Sequence, residues 1–232
     1  MTEKTGIINH HQIKSEAIAG VLANHEAVAK AIIGKIIPPA FKGGWDTWDE
    51  HSDEATILKT KGLAWVQQLR REPQKVKGLR LGGVPGSGKT HVGYAVIADL
   101  INSGLYNVGA ENMHTICRAI TQTWSDKTSH IRDVERMILE REVFFLDDVG
   151  SESNKVGAAN YVQDFLYGIL NHSSAHGKPL LIISSNLNME EIADHYEGSN
   201  GERMVSRLAG ITEPLAEFPE VDYRERAHHE DN

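Results

Sequence analysis

Apolar positions along the chain fall into two regimes. Ile13, Ala17, Val21, Val28, Ile32 and Ile36 recur at steps of four residues and once of seven, with alanine between them, and that spacing lines one face of a helix. The pattern predicts a helical N-terminal arm over residues 1–37. Gly34 and then Pro38-Pro39 end it, because proline donates no backbone hydrogen bond and bars its predecessor from the helical region. A linker over 38–53 follows, with Gly43-Gly44 and the run Trp45-Asp-Thr-Trp48, whose rings are expected to pack on the main body. Helical spacing resumes over 54–71. From Gly78 onward, short apolar runs alternate with helical stretches, which predicts parallel strands crossed by helices, an α/β fold in three layers around a central parallel sheet. The strands are expected at 79–82, 106–110, 143–146 and 180–184, with a weaker one at 211–218. Helices are expected at 89–102, 113–123, 133–140, 158–171 and 202–208, a polar loop at 125–130, and a polar tail over 225–232. The main body is thus 54–224.

Composition changes this picture only by exclusion. At 232 residues, 40% hydrophobic and 24% charged, the chain has the make-up of a folded globular protein with one main domain and an appendage. Unbroken apolar runs such as 143–146 and 180–183 are far below the ~20 residues that cross a bilayer, and the N-terminus shows no secretory pattern, so a cytoplasmic protein is expected. A single cysteine, Cys117, excludes an internal disulfide and a cysteine-built zinc site, and is expected to be a small packed side chain. His172 and His176 stand four apart where Ser-Ser-Ala and Gly177 suggest a fraying helix, which reads as surface histidines rather than metal ligands. A net charge of −8 opposes nucleic-acid contact over the whole surface and confines any such contact to a local patch. One candidate is the run Lys59, Lys61, Arg70, Arg71, Lys75, Lys77 and Arg80, facing only Glu72, with Lys127 and Arg132 as further cations. A solvated helix face explains that run equally well.

The candidate chemistry lies where strands meet helices. Gly83-Val-Pro85-Gly86-Ser87-Gly88-Lys89-Thr90 matches G-x-x-x-x-G-K-[ST], between an expected strand and an expected helix. Its glycines let backbone N–H groups converge on phosphate oxygens, and the helix adds its positive end. Lys89 is expected to reach the β- and γ-phosphates and Thr90 to ligate Mg²⁺; His91 completes the nucleotide-binding set. The strand at 143–146 runs into Asp147-Asp148, two carboxylates at the edge that faces the phosphates. Asp147 is expected to hold the Mg²⁺ through water, and Asp148 to orient and deprotonate an attacking water. Asn186, at the end of the strand at 180–184, is placed to sense the γ-phosphate or the water. Arg203 and Arg207, four apart, share one helix face. They form either a surface ion-pair face or a guanidinium offered to a neighbouring subunit's γ-phosphate.

Together these residues resemble the AAA+ ATPases, and within them the DnaC-type helicase loaders and the IstB-type transposition ATPases. The resemblance spans residues 37 to about 224. It rests on Ile37-Pro-Pro-Ala-Phe, the 83–90 loop, Phe145-Leu-Asp-Asp-Val-Gly, Ile183-Ser-Ser-Asn-Leu and Glu202-Arg-Met-Val-Ser-Arg-Leu. It implies a P-loop NTPase fold of AAA+ type, ATP as the nucleotide, Asn186 as the first sensor, Arg207 as a trans-acting arginine finger with Arg203 beside it, and Arg224 in Asp222-Tyr-Arg as a second sensor. It also implies a loader that engages a hexameric replicative helicase and single-stranded DNA, with ATP driving a homo-oligomeric switch and the arm, residues 10–37, as the helicase contact. The chain departs from the family in its short arm without a zinc site, in Asp148 where many members carry Glu, and in the small length left after the last strand for a helical lid. The same residues suit an IstB-type helper ATPase for a transposase. A small-molecule P-loop kinase is a third class, with no acceptor motif in the sequence; a nucleotide-gated binder with negligible hydrolysis is a fourth.

Overall fold

Alternation along the strands decides the layers. In the computed structural model, which describes residues 24–122, 130–152, 159–196 and 198–223, the strands are β1 (Gly78–Gly82), β2 (Val108–Asn112), β3 (Val143–Asp147), β4 (Leu180–Ser185) and β5 (Thr212–Pro214). They form one parallel sheet in the order β2-β3-β4-β1-β5. Successive side chains in a strand point to opposite faces. Leu79, Leu81, Val143, Phe145 and Ile182 accordingly join one core cluster, and Phe144, Leu146, Leu181 and Ile183 the other. Both faces are covered by helices, which is why β3 and β4 read as unbroken apolar runs rather than as alternating ones.

The first face carries α1 (24–36), α2 (Asp53–Arg71) and α3 (Lys89–Asn102). The second carries α4 (Met113–Gln122), α5 (His130–Leu139), α6 (Ala159–His176), α7 (Met189–His195) and α8 (Gly198–Ile211). Helix α3 lies close over the sheet because residue 93 is glycine; a Cβ there would collide with the Phe145 ring. Phe145 is fully buried and meets Tyr94 edge-on at 5.2 Å. Replacing such a ring by Ala would cost about 3–5 kcal/mol. Ser52 caps α2, its hydroxyl accepting from Ala55 N at 3.2 Å, and acidic Asp53 and Glu54 suit that end of the helix dipole.

The described part of the arm packs on the first face through buried Ala29 and half-buried Ile32, Ile33 and Ile36. Residues 38–53 do the same through short 3-10 turns (Pro39–Phe41 and Gly44–Thr47) and the buried Trp45 ring, while Phe41 stacks on Tyr94 at 5.2 Å. Residues 1–23, the tail from 224, and most of the expected 125–130 loop lie outside the described residues. Among the described residues no helix is long and apolar enough to cross a membrane.

Helices α5 and α8 are longer than the sequence expectation, and four further differences each have a local reason. Strand β2 starts at Val108, two residues later, because Gly104 turns the chain at φ +94 and the Tyr106 ring is spent against His25 of α1 at 5.7 Å. Helix α6 does not fray at His172: it continues to His176, the two rings stack at 4.2 Å, and Gly177 (φ +69) closes it with its N–H on Ser173 O. Strand β5 is only three residues, ending at Pro214, which has no N–H for the ladder. Helix α7 was not anticipated, although Asn188 and Glu191 form a reciprocal capping box, a signature legible in Asn-x-x-Glu.

Candidate nucleotide-binding site

The cradle follows from three glycines and one helix. After β1 the chain turns through Gly83, Gly86 (φ +74) and Gly88 (φ +94) into α3, and the last two hold a left-handed backbone that side chains rarely adopt. A glycine turn of this kind running into the N-terminus of a helix is an arrangement that binds anions. Lys89 is buried, its Nζ donating to the carbonyls of Gly83 at 2.7 Å and Val84 at 2.6 Å. The ammonium is thereby folded into the loop, at the centre of the cradle. Ser87 is fully buried beside it.

Two segments flank the cradle. On one side the Trp48 ring abuts Gly88, and a Cβ there would come within 2.8 Å of it. Trp48 also meets His91 edge-on at 5.2 Å. His91 turns toward this segment, Nε2 lying 2.9 Å from Gly44 O and 3.3 Å from Thr47 Oγ1. On the other side the strap after β5 crosses the loop: Phe218 lies against Gly83, the Asp222 side chain against Gly86, and Tyr223 N donates to Gly86 O at 3.1 Å. Pro85 lies exposed at the tip of the loop. Arg224 lies outside the described residues.

The acidic pair completes the site. Period-two alternation places Asp147 and Ser184 on the α3 face of neighbouring strands, and they meet: Ser184 Oγ donates to Asp147 Oδ1 at 2.6 Å. Thr90 Oγ1 donates to the same oxygen at 3.1 Å. Asp147 is 5% exposed, and burial pushes its carboxyl above the usual range, with the Asp148 charge adding to that and the Ser184 and Thr90 hydrogen bonds opposing it. A cation beside Asp147 would offset that burial, and the oxygen-only set of Thr90 and Asp147 is the donor chemistry Mg²⁺ takes.

Asp148 points elsewhere because its backbone is left-handed, φ 61. Its N–H donates to Ser184 Oγ at 2.8 Å, and its Oδ1 accepts from Asn186 Nδ2 at 3.1 Å. Ser151 holds the turn, both its N–H and its hydroxyl donating to Asp148 O. An otherwise unfavourable conformation is therefore held from several sides, as at sites where geometry is functional. Asp148 and Asn186 are brought together, one acid and one amide on adjacent strand ends.

Arg203 and Arg207 are not part of this cluster. Both are exposed on α8, and Arg207 Nε donates to Asn171 Oδ1 of α6 at 2.9 Å. The basic run is less free than its sequence suggests: Lys59 pairs with Glu50 at 2.7 Å, Lys75 with Glu72 at 2.8 Å, and half-buried Arg80 bonds Thr212 Oγ1. Lys61, Arg70, Arg71 and Lys77 remain exposed, as does Arg132. Lys127 lies outside the described residues. Burial pushes the Cys117 thiol up to about 12, so it is a packed group rather than a nucleophile.

The family model of the ATPase family associated with various cellular activities (AAA) matches residues 79–205, more than half the chain and the stretch that holds the cradle, the acidic pair and Asn186. The chain belongs to this family. This AAA protein is 31% identical over 130 residues to the uncharacterized protein YqaM of Bacillus subtilis (strain 168), a match covering 52% of this chain and 39% of that one. It thus spans about two fifths of that relative's length. Among solved structures, DnaI matches with a TM-score of 0.63 and 22% identity, over 79% of this chain and 96% of that one. The DnaC helicase loader matches with a TM-score of 0.61 and 20% identity, over 75% and 96%. AMPPCP-bound DnaA from Aquifex aeolicus matches with a TM-score of 0.56 and 18% identity, over 78% and 53%. At these identities the structures establish the shared AAA+ fold.

Three residues of the site escaped the sequence reading. Ser184 joins Asp147 to Asp148, and its only local signal is a serine pair closing an otherwise apolar strand. Glu152 and Tyr196, 7% and 5% exposed, meet beside the Asp148 turn, Tyr196 Oη donating to Glu152 Oε1. Their contact spans 44 positions and has no local pattern.

Proposed function

We propose that this AAA protein is an ATP-dependent helicase loader that acts with a hexameric replicative helicase and single-stranded DNA. The observation that carries the hydrolytic part is the joined set Thr90–Asp147–Ser184–Asp148–Asn186. The 83–90 loop would bind the ATP phosphates, with Lys89 leaving the Gly83 and Val84 carbonyls for the β- and γ-phosphates. Bound Mg²⁺, held by Thr90 and through water by Asp147, would neutralise developing phosphate charge. Asp148 would take a proton from water as its oxygen attacks the γ-phosphorus; the bond to the β-phosphate oxygen breaks, leaving ADP and phosphate. Asn186, already bonded to Asp148, would orient that water and register the γ-phosphate. Arg207 of an adjacent subunit would supply charge to the same phosphate, so that hydrolysis depends on a homo-oligomer.

The loader assignment is supported by fold likeness to the DnaC helicase loader and DnaI over nearly the whole of each of those chains. ATP then serves as a switch between assembly states rather than as a source of product. The exposed cations Lys61, Arg70, Arg71 and Lys77 offer DNA phosphates a local surface, and binding there should weaken steeply with salt.

The test is affinity capture of Asp148→Asn with ATP and Mg²⁺. A replicative helicase should be retained, and lost when residues 1–23 are removed, a deletion that spares the packed helix α1. Recovery of a transposase instead would keep the hydrolytic assignments and overturn the loader. Retention of the helicase without residues 1–23 would remove that part of the arm from the contact and leave residues 24–37 as its only share in it.

A further inference from the structure

The turn that presents Asp148 is tied to the arginine-bearing helix through a buried carboxylate. Glu152 accepts the Gly150 N–H on Oε2 at 2.9 Å and the Tyr196 phenol on Oε1. Gly150, left-handed at φ +89 and pressed against Leu187, stands two residues from Asp148. Ser151, bonded twice to Asp148 O, links them. A displacement of Glu152 therefore reaches Asp148 through one hydrogen-bonded turn.

Tyr196 closes α7 on the other side. Its N–H donates to Ile192 O at 3.2 Å, and its carbonyl accepts Gln163 Nε2 of α6 at 2.6 Å. Gly201 brings the backbone of α8 against the Ala193 carbonyl, so closely that any side chain there would collide with it. Helices α7 and α8 are thus one packed unit, and Arg203 follows two residues after Gly201. His195 completes the surroundings: its buried Nε2 lies 3.9 Å from Glu152 Oε1 and has no hydrogen-bond partner among the described residues. Burial, then the Glu152 charge, pushes the Tyr196 phenol far above its usual range, which keeps it a donor. A buried carboxylate needs hydrogen-bond donors, and Gly150 N–H and the Tyr196 phenol supply one to each oxygen of Glu152.

We propose that Tyr196 and Glu152 are positioning residues for ATP hydrolysis, fixing the turn that aims Asp148 and making its aim depend on where α7 and α8, with Arg203 and Arg207, are held. Neither touches the nucleotide. The inference rests on the reading of Asp148 as the base, and it adds a route by which a neighbouring subunit gripping α8 would alter the hydrolytic rate. Contacts made at Arg203 or Arg207 bear on the α7–α8 unit, and that unit carries the phenol that orders Glu152.

Substitution chemistry separates positioning from bulk stability. Tyr196→Phe keeps the ring and its edge-on contact with His195 but removes one donor from a buried carboxylate. Glu152→Met fills similar space and accepts no hydrogen bond. Glu152→Gln can accept Gly150 N–H through its oxygen and donate its NH₂ to the phenol oxygen, since a hydroxyl both donates and accepts. Steady-state ATPase assays on each variant, normalised to nucleotide-binding stoichiometry, are expected to give a kcat loss of roughly tenfold for Tyr196→Phe and for Glu152→Met, with KM for ATP unchanged. Glu152→Gln is expected to restore most of that loss. If Tyr196→Phe fails to fold, the contrast between Met and Gln at 152 carries the test alone. Wild-type kcat in both Tyr196→Phe and Glu152→Met, while Asp148→Asn abolishes turnover, would overturn the positioning role and leave the hydrolytic reading standing. Equal kcat in the Met and Gln variants would overturn it as well. Full turnover in Asp148→Asn would instead remove the reading on which the inference rests.

Discussion

The tips of β3 and β4 and the exposed face of α8 both carry charged groups suited to phosphate chemistry, yet they are built in opposite ways. At the strand tips every group has a partner within the chain: Thr90 and Ser184 on Asp147, Ser184 and Asn186 on Asp148. On α8, Arg203 and Arg207 stand in solvent, and Arg207 bonds an amide of α6. Connectivity explains why. Helix α8 descends to the start of β5, which pairs with Gly78 at the start of β1, whereas the cradle follows the end of β1. Arg207, five residues before Thr212, therefore sits toward the sheet edge opposite its own cradle. The difference teaches that one region is joined up within a chain while the other faces solvent, as the proposed subunit-shared site would require.

Breaking the outward half should have the largest effect. Arg207→Ala is expected to bind nucleotide normally and lose about 10³-fold in turnover, because a guanidinium at the transferring phosphoryl group is worth about that much. Mixing it with a Lys89→Ala subunit, whose cradle is disabled but whose Arg207 is intact, should restore activity as the ratio is varied. If the mixture stays dead while each variant assembles, Arg207 acts within its own chain and the contrast between the two regions dissolves.

Asp148→Asn attacks the inward half directly. The expected kcat loss is on the order of 10²-fold, with ATP affinity retained, since the amide keeps the Asn186 neighbour but takes no proton. An unchanged kcat would mean that the chain gates partners by binding alone. Ser184→Ala should follow with a smaller loss, about tenfold, together with about 1–3 kcal/mol of stability, because it removes a donor from buried Asp147 and the acceptor for the Asp148 N–H. Thermal unfolding and ATPase assays on the same preparation would check both. A variant that loses stability but no turnover would reduce Ser184 to a structural bridge.

The inward half was legible in the sequence to an uneven degree. The glycine loop and the two acids could be read because they are contiguous, and because β3 and β4, buried on both faces, announce themselves as apolar runs. Ser184 could not, since its role comes from the register of two strands 37 positions apart. Glu152 and Tyr196 were hidden for the same reason, their meaning residing in a contact between a turn and a helix end. Helix α7 is a different case: its capping box was present in Asn188 and Glu191, but seven residues carry too little periodicity to stand out. The arginines were visible as a pair, and their spacing placed them on one face, but only the descent of α8 away from its own cradle distinguishes an outward role from a local one.

The smallest effect concerns the metal and tests whether the inward half is held as tightly as its hydrogen bonds indicate. Burial holds the Asp147 carboxyl above its usual range, aided by the Asp148 charge. Mg²⁺ held through water needs the charged form, so the proton and the metal's bound water compete for the same carboxylate. As pH falls, the proton wins earlier than at an ordinary aspartate, and the Mg²⁺-dependent part of nucleotide affinity should decline while the medium is still above the usual carboxylate range. The decline can be no steeper than about tenfold per pH unit, one proton being displaced for each metal bound. Titrating a fluorescent ATP analogue with and without Mg²⁺ across that range isolates the effect, because phosphate contacts from the loop remain when the metal is omitted. Asp147→Asn should abolish the pH dependence along with the metal's contribution. A Mg²⁺ contribution that stays flat until the ordinary carboxylate range would mean that Ser184 and Thr90 stabilise the charge more than burial opposes it, and that the site is preorganised for the metal.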